Sequence, residues 1–209
     1  MSYQQLLAWI QVADLDAAKA TEVLELVEAA LDDLSEDDVR YDPLADIEED
    51  LLEGEVPVAL LQALAVGGTG ALDETVRLEE EYRKVAADYT PEQWQSNFYL
   101  DLEHHLDESE EEELLEFTEG LRNMLTRVWE RYEADYAGLS QHTPETIVGH
   151  TFMKEGYETW IKALDLVDSE AEADEILETA EAAVRLLIAV GQLDRDVKMQ
   201  AGSLGSTLK

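Results

Sequence analysis

Apolar residues in this chain recur at steps of three and four, the period of a helix with one buried face. The clearest stripe is Ala20, Val23, Leu24, Val27, Ala30, Leu31 and Leu34, which predicts a helix from a cap at Asp14 or Asp16 to about Leu34. Leu44, Ile47 and Leu51 share one face behind Asp42-Pro43, and proline is tolerated in a first helical turn. Leu114, Phe117, Leu121, Leu125, Val128, Trp129, Tyr132 and Tyr136 make a long stripe, opened by Ser109 with Glu112 and closed by Gly138. Ile176, Leu177, Ala180, Val184, Leu187 and Ile188 make the last, between Ser169 and a stop at Gly191. No segment alternates with the period of a strand.

Capping signals supply the remaining boundaries. Ser2 with Gln5 opens a short helix to about Val12. Pro57 starts one that ends near Val66, and another covers Asp73 to Asp88. Thr90-Pro91-Glu92-Gln93 opens a helix carrying Trp94, Phe98, Leu102 and His105. Thr143-Pro144-Glu145-Thr146 opens one to about Val167. The run Gly67-Gly68-Thr69-Gly70 has no strand before it and no Lys-Ser/Thr after it, so it reads as a turn between helices, not a phosphate loop. The expected fold is all-α: an irregular helical bundle of about eight helices over residues 1–191, with a possible subdomain break at 67–70. An extended C-terminal tail, residues 192–209, follows.

Charge changes the picture most. The 209 residues hold 50 Asp and Glu against 14 Lys and Arg, a formal net charge of -36. These carboxylates run from Asp14 to Asp196 and do not gather in a tail. Self-repulsion at this density opposes the compact state in dilute buffer. At molar salt the Debye length falls to about 3 Å and the repulsion is screened. Hydrated carboxylates then keep the surface wet, and an Ala-rich, aromatic-poor core suits a salting-out solvent. The composition resembles that of proteins from salt-in halophiles or their viruses. Disorder is not expected, because 45% of residues are hydrophobic and periodic. No Lys/Arg cluster exists to displace phosphate counterions, so nucleic-acid binding by a basic surface is excluded. An anionic membrane would repel the chain, and no apolar stretch approaches ~20 residues. Met1-Ser2-Tyr3-Gln4-Gln5 has no basic region, so no secretory signal is expected.

Candidate chemistry is sparse. There is no cysteine, which removes disulfides, thiolate metal sites and cysteine nucleophiles. His104 and His105 are neighbours on a predicted helix and point about 100° apart, so they do not grip one metal. Asp101 and His105 share a face, but two ligands do not make a site. His142 and His150 with Glu145 and Glu155 allow an acid–base pair to be drawn, with nothing to place them around a substrate. Glu79-Glu80-Glu81 and Glu110 to Glu113 read as solvated faces. Trp94, Trp129, Tyr132, Tyr136 and Trp160 read as core anchors. The expectation is a non-enzyme with no cofactor and no metal site.

The C-terminal stretch differs in character. Three of the 14 basic residues fall within residues 192–209, and the final eleven residues contain no Asp or Glu. In so acidic a chain, local loss of solvating charge points to a segment covered by a partner. With the preceding helix, Ser169 to Val190, the run Val197, Lys198, Met199, Gln200, Ala201, Gly202, Ser203, Leu204, Gly205 resembles the end of head-tail adaptor (connector) proteins of tailed viruses. The resemblance implies a ring of copies in the virion, assembled in the host cytoplasm. It also implies portal and neighbouring tail or neck proteins as partners, and a portal-contacting strand from Val197 to Lys209 in which Lys198 and Lys209 meet acidic neighbours. The alternative is a cytoplasmic helical chaperone or regulator of a halophilic archaeon, holding a client peptide in an apolar groove. Either way the charge carries a direct expectation. Dialysis from multimolar salt to ~0.1 M lowers the melting temperature and loosens the helices, read by circular dichroism; an unchanged melt would end the halophilic reading.

Overall fold

The structure, a computed structural model, describes residues 3–35, 37–89 and 97–207; side chains are described within these ranges except at 97 and from 192 onward. Among the described residues there are eight helices and no strand: α1 Tyr3–Ile10, α2 Ala20–Leu31, α3 Tyr41–Leu52, α4 Val58–Asp88, α5 Asn97–Glu108, α6 Glu111–Ala137, α7 Pro144–Asp168 and α8 Ala173–Thr207. The all-α class follows the hydrophobic period. The chain forms two compact units, one of residues 1–79 with 141–148, the other of residues 80–140 with 149–209. The Gly67–Gly70 run falls inside the first.

The first unit packs α1, α2 and α3 with the start of α4 around Leu6, Val23, Val27, Leu44, Ile47 and Leu61, all fully buried. The stripes expected for α2 and α3 are the buried ones. Their starts differ from expectation. The N-cap of α2 is Lys19, with no side-chain bond, and Asp14 and Asp16 lie in the preceding turn. α3 begins two residues before Pro43, because Asp38 organises the entry: its carboxylate accepts from the Arg40 backbone N–H at 3.0 Å and from Arg40 Nε at 2.7 Å. α3 ends in a left-handed Gly54 (φ 94°), with Glu55 N–H donating to Asp50 O and Gly54 N–H to Leu51 O. That is the glycine-terminated helix end in which orphan carbonyls are satisfied. Of the glycine run, only Gly68 leaves helical backbone (φ 65°, ψ -151°), so the expected turn is a one-residue break inside α4. The helices expected on either side of it share one element because helical pairing resumes at once.

The second unit centres on Leu102 of α5, Leu121 of α6, Trp160 and Leu164 of α7, and Ile176, Ala180 and Ala183 of α8. Small residues bring α7 and α8 close: a Cβ at Gly156 would stand 2.7 Å from Leu187 Cδ2. Three arginines tie helices together. Arg83 of α4 forks onto Glu155 of α7 at 2.8 and 2.7 Å and lies over the Phe152 ring. Arg122 of α6 reaches Asp165 and Asp168 of α7 at 2.6 and 2.8 Å. Arg185 of α8 binds Glu181 and donates to Ala87 O of α4. Planar, multi-donor guanidinium suits this bridging better than lysine.

Helix punctuation in the later half is partly as expected. Thr143 and Thr146 cap α7 reciprocally: Thr143 N–H donates to Thr146 Oγ1 at 2.8 Å, and Thr146 N–H to Thr143 Oγ1 at 3.4 Å. Gly138 is the C-cap of α6. Ser109 does not cap α6, whose N-cap is Glu110; its hydroxyl is taken by His105 Nδ1 at 2.7 Å. Ser169 does not open α8, because its hydroxyl donates back to Leu166 O. The segment Thr90-Pro91-Glu92-Gln93 with Trp94, and the Ser2 cap, lie outside the described residues.

The end of α7 carries backbone strain. Ala171 N–H donates to Leu166 O and Glu170 N–H to Val167 O, the same terminal motif as at Gly54, but the left-handed position (φ 57°) is Glu170. A side chain there is disfavoured where glycine is not. Glu170→Gly is therefore expected to stabilise the fold by about 0.5–1 kcal/mol, about 1–4 °C in a thermal melt at fixed salt; a lower melting temperature would contradict it.

Candidate functional site

Three places combine accessible surface with distinctive chemistry, all in the second unit. The first is the distal half of α8. Its proximal half is core: Ile176, Ala180, Ala183, Val184, Leu186 and Ala189 are buried. The stop expected at Gly191 does not occur, and helical backbone continues to Thr207. One interior glycine costs about 1 kcal/mol against alanine, too little to end a helix with hydrogen bonds on both sides. The segment expected as an extended tail is thus described by backbone alone, as helix up to Thr207. Val197, Lys198, Met199, Gln200, Ala201, Gly202, Ser203, Leu204 and Gly205 lie on α8, and Lys209 lies outside the described residues. In that register Leu193, Val197, Ala201 and Leu204 follow one another at steps of four, four and three, which places them on one face.

The second place is a cleft of about 400 Å³ at the opposite end of α8. Leu106 of α5, Leu114 and Leu115 of α6, Val167 of α7, Ala171 and Ile176 line it. Val167 and Ile176 form a buried floor, and Leu115 stands 41% exposed. Glu111, Asp168 and Glu170 edge it. Asp168 is held by Arg122, while Glu111 and Glu170 are exposed. Sequence alone does not reveal this cleft, because its walls come from four elements.

The third is an aromatic ladder between α6 and α7. Trp129 and Tyr157 stack nearly parallel (8°) with centroids 5.3 Å apart. Tyr136 stacks on His150 at 3.9 Å, with Tyr132 on the same imidazole at 6.0 Å. All five rings are half-buried, so Trp129, Tyr132 and Tyr136 anchor an interhelix seam, whereas Trp160 is buried in the core, 2% exposed. Offset ring pairs of this kind add to the stabilisation from burial. His150 is part of this stack, and His142 belongs to the other unit.

Of the remaining candidates, His105 stacks on Phe117 at 4.3 Å and shares a hydrogen bond with Ser109, while His104 faces Glu108 in solvent. Among the described residues, no three His, Asp or Glu side chains group as metal ligands. No described helix is long and apolar enough to cross a membrane.

No family model, curated protein or solved structure matches this chain.

Two carboxylates of the first unit are shifted in opposite directions. Asp38, clamped by the side chain and backbone N–H of Arg40, is held down to about 2. Asp50 is raised, first by burial and then by repulsion from Glu53, Glu55, Glu49 and Asp46. The signs are opposite. Asp38 favours the folded state above the usual carboxylate range and loses that contribution as pH falls toward 2. Asp50 opposes folding once ionised, and that cost disappears as pH falls through its raised value into the usual range. Asp50→Asn should therefore raise the melting temperature by a few degrees at pH ~7 in low salt, with the gain shrinking toward pH ~4. Paired melts at the two pH values check this; no gain at pH ~7 would contradict it.

Proposed function

We propose that this chain is a non-enzymatic assembly protein of a halophilic tailed virus, a head-tail adaptor that binds its portal through residues 197–209. The observation that supports it is the dual character of the C-terminal region: the first half of α8 is core, and the sequence from Val197 on holds Lys198 and Lys209 and no Asp or Glu in a chain of net charge -36. A partner surface meets less repulsion there than over the acidic remainder. Helical backbone through this stretch favours a helix laid in a groove, with anchors at Val197, Ala201 and Leu204, over strand addition. High-salt adaptation is supported by the placement of charge. Among the described residues the buried polar side chains are Thr75 and Thr118, each bonded to a backbone carbonyl, and no carboxylate is buried.

A second reading, a helical chaperone or regulator of a halophilic archaeon, is favoured by the apolar cleft between Leu115 and Ile176, a groove of the kind that holds a client side chain. In that reading the cleft binds the client and residues 197–209 are dispensable.

The test is purification of N-terminally tagged protein from its native source in multimolar KCl, with mass spectrometry of the co-purifying chains. Portal and tail proteins are expected, and their loss on deleting residues 198–209 would locate the contact. One cellular protein, retained after that deletion and lost with Leu115→Asp, would replace the adaptor reading with the chaperone reading.

A further inference from the structure

The cleft and the distal segment of α8 are complementary. The cleft is apolar inside, with Glu111 and Glu170 at its edge. The segment offers an apolar stripe, Val197, Ala201 and Leu204, beside Lys198 and without a carboxylate. Yet the two cannot meet within one molecule while α8 stays whole. Ile176, on the cleft floor, and Leu204 are 28 positions apart on one helix, about 42 Å along its axis. An unbroken helix does not fold back on its own first turn.

We propose that the distal segment of α8, residues 197–207, docks in the Leu106–Leu115–Ile176 cleft of a second copy of this chain. The segment brings an apolar stripe that includes Leu204, together with a lysine, to a cleft of apolar lining and acidic edge. The surface offered by one copy differs from the surface used on the next, so the contact is head-to-tail. Such contacts repeat into a closed ring or an open filament according to the rotation they impose. Charge favours this meeting over others: two copies of net charge -36 repel across most of their surfaces, and here lysine meets glutamate over buried apolar area. The inference uses the segment assigned above to the portal but does not need the viral reading. It concerns the purified protein alone, whereas that reading stands or falls on co-purifying proteins.

The experiment is light scattering of the full-length protein in ~3 M KCl, over a range of concentrations, with two variants. Leu115→Asp spoils the cleft and keeps the segment; Leu204→Asp spoils the segment and keeps the cleft. The wild type is expected to exceed its 23.5 kDa monomer mass and to grow with concentration. Each variant alone should be a monomer with unchanged circular dichroism. Their equimolar mixture should form a dimer and nothing larger, because one intact contact remains. The chain has no cysteine, so Leu115→Cys and Ser203→Cys introduced singly into separate batches allow a clean cross-link. A covalent dimer is expected in the mixture of the two. A wild type that stays monomeric at every concentration would overturn the proposal even if a variant failed to fold. So would a dimer that survives both aspartate substitutions, or a cross-link formed within single chains of the doubly substituted protein.

Discussion

Fifty carboxylates in 209 residues must remain hydrated, and the rest of the structure is arranged around that demand. Transferring an unpaired carboxylate out of water costs more than any local packing gain returns. Every helix therefore has a face it can bury and a face it must keep wet, and among the described residues no Asp or Glu is buried. The cores are accordingly built from Leu, Val, Ile and Ala, with two buried threonines whose hydroxyls are turned back onto their own helices. Alanine at 180, 183 and 189 and glycine at 156 let α7 and α8 approach without requiring bulky apolar side chains.

The scarce cations follow from the same demand. Arg83, Arg122 and Arg185 each span two helices of the second unit: Arg83 and Arg122 reach carboxylates of α7, and Arg185 reaches the Ala87 carbonyl of α4. Exposed ion pairs contribute little singly. Their effect here is to choose which acidic faces can lie side by side. Where no cation is near, as around Asp50, carboxylates from Asp46 to Glu55 crowd one another, and the field of the neighbours adds to burial in resisting ionisation. Arg40 shows the opposite local outcome, drawing Asp38 into the turn that launches α3.

Against this background the functional reading rests on contrast. A cleft with Leu115 at its lip gathers apolar side chains from four elements, and the stretch from Val197 on lacks Asp and Glu in a chain of net charge -36. Their positions at opposite ends of α8 make the helix a spacer, which is why the proposed docking is between molecules and not within one.

The hydrophobic period set the all-α class and the buried stripes of α2 and α3, since a 3.6-residue repeat has few other solutions. Capping residues located the α7 start at Thr143-Thr146 and the α6 end at Gly138. Tertiary structure decided what local rules leave degenerate. Ser109 had two partners in reach, and the packing of His105 on Phe117 gave its hydroxyl to the imidazole instead of the α6 N-terminus. Glu170 took a left-handed conformation that its own side chain disfavours, because the end of α7 and the start of α8 both have core to bury there. The inclusion of residues 141–148 with the first unit, the His150 stack and the walls of the cleft all join residues far apart in sequence. A one-dimensional pattern carries which face of a helix is buried; which helix meets that face is fixed only when all of them pack.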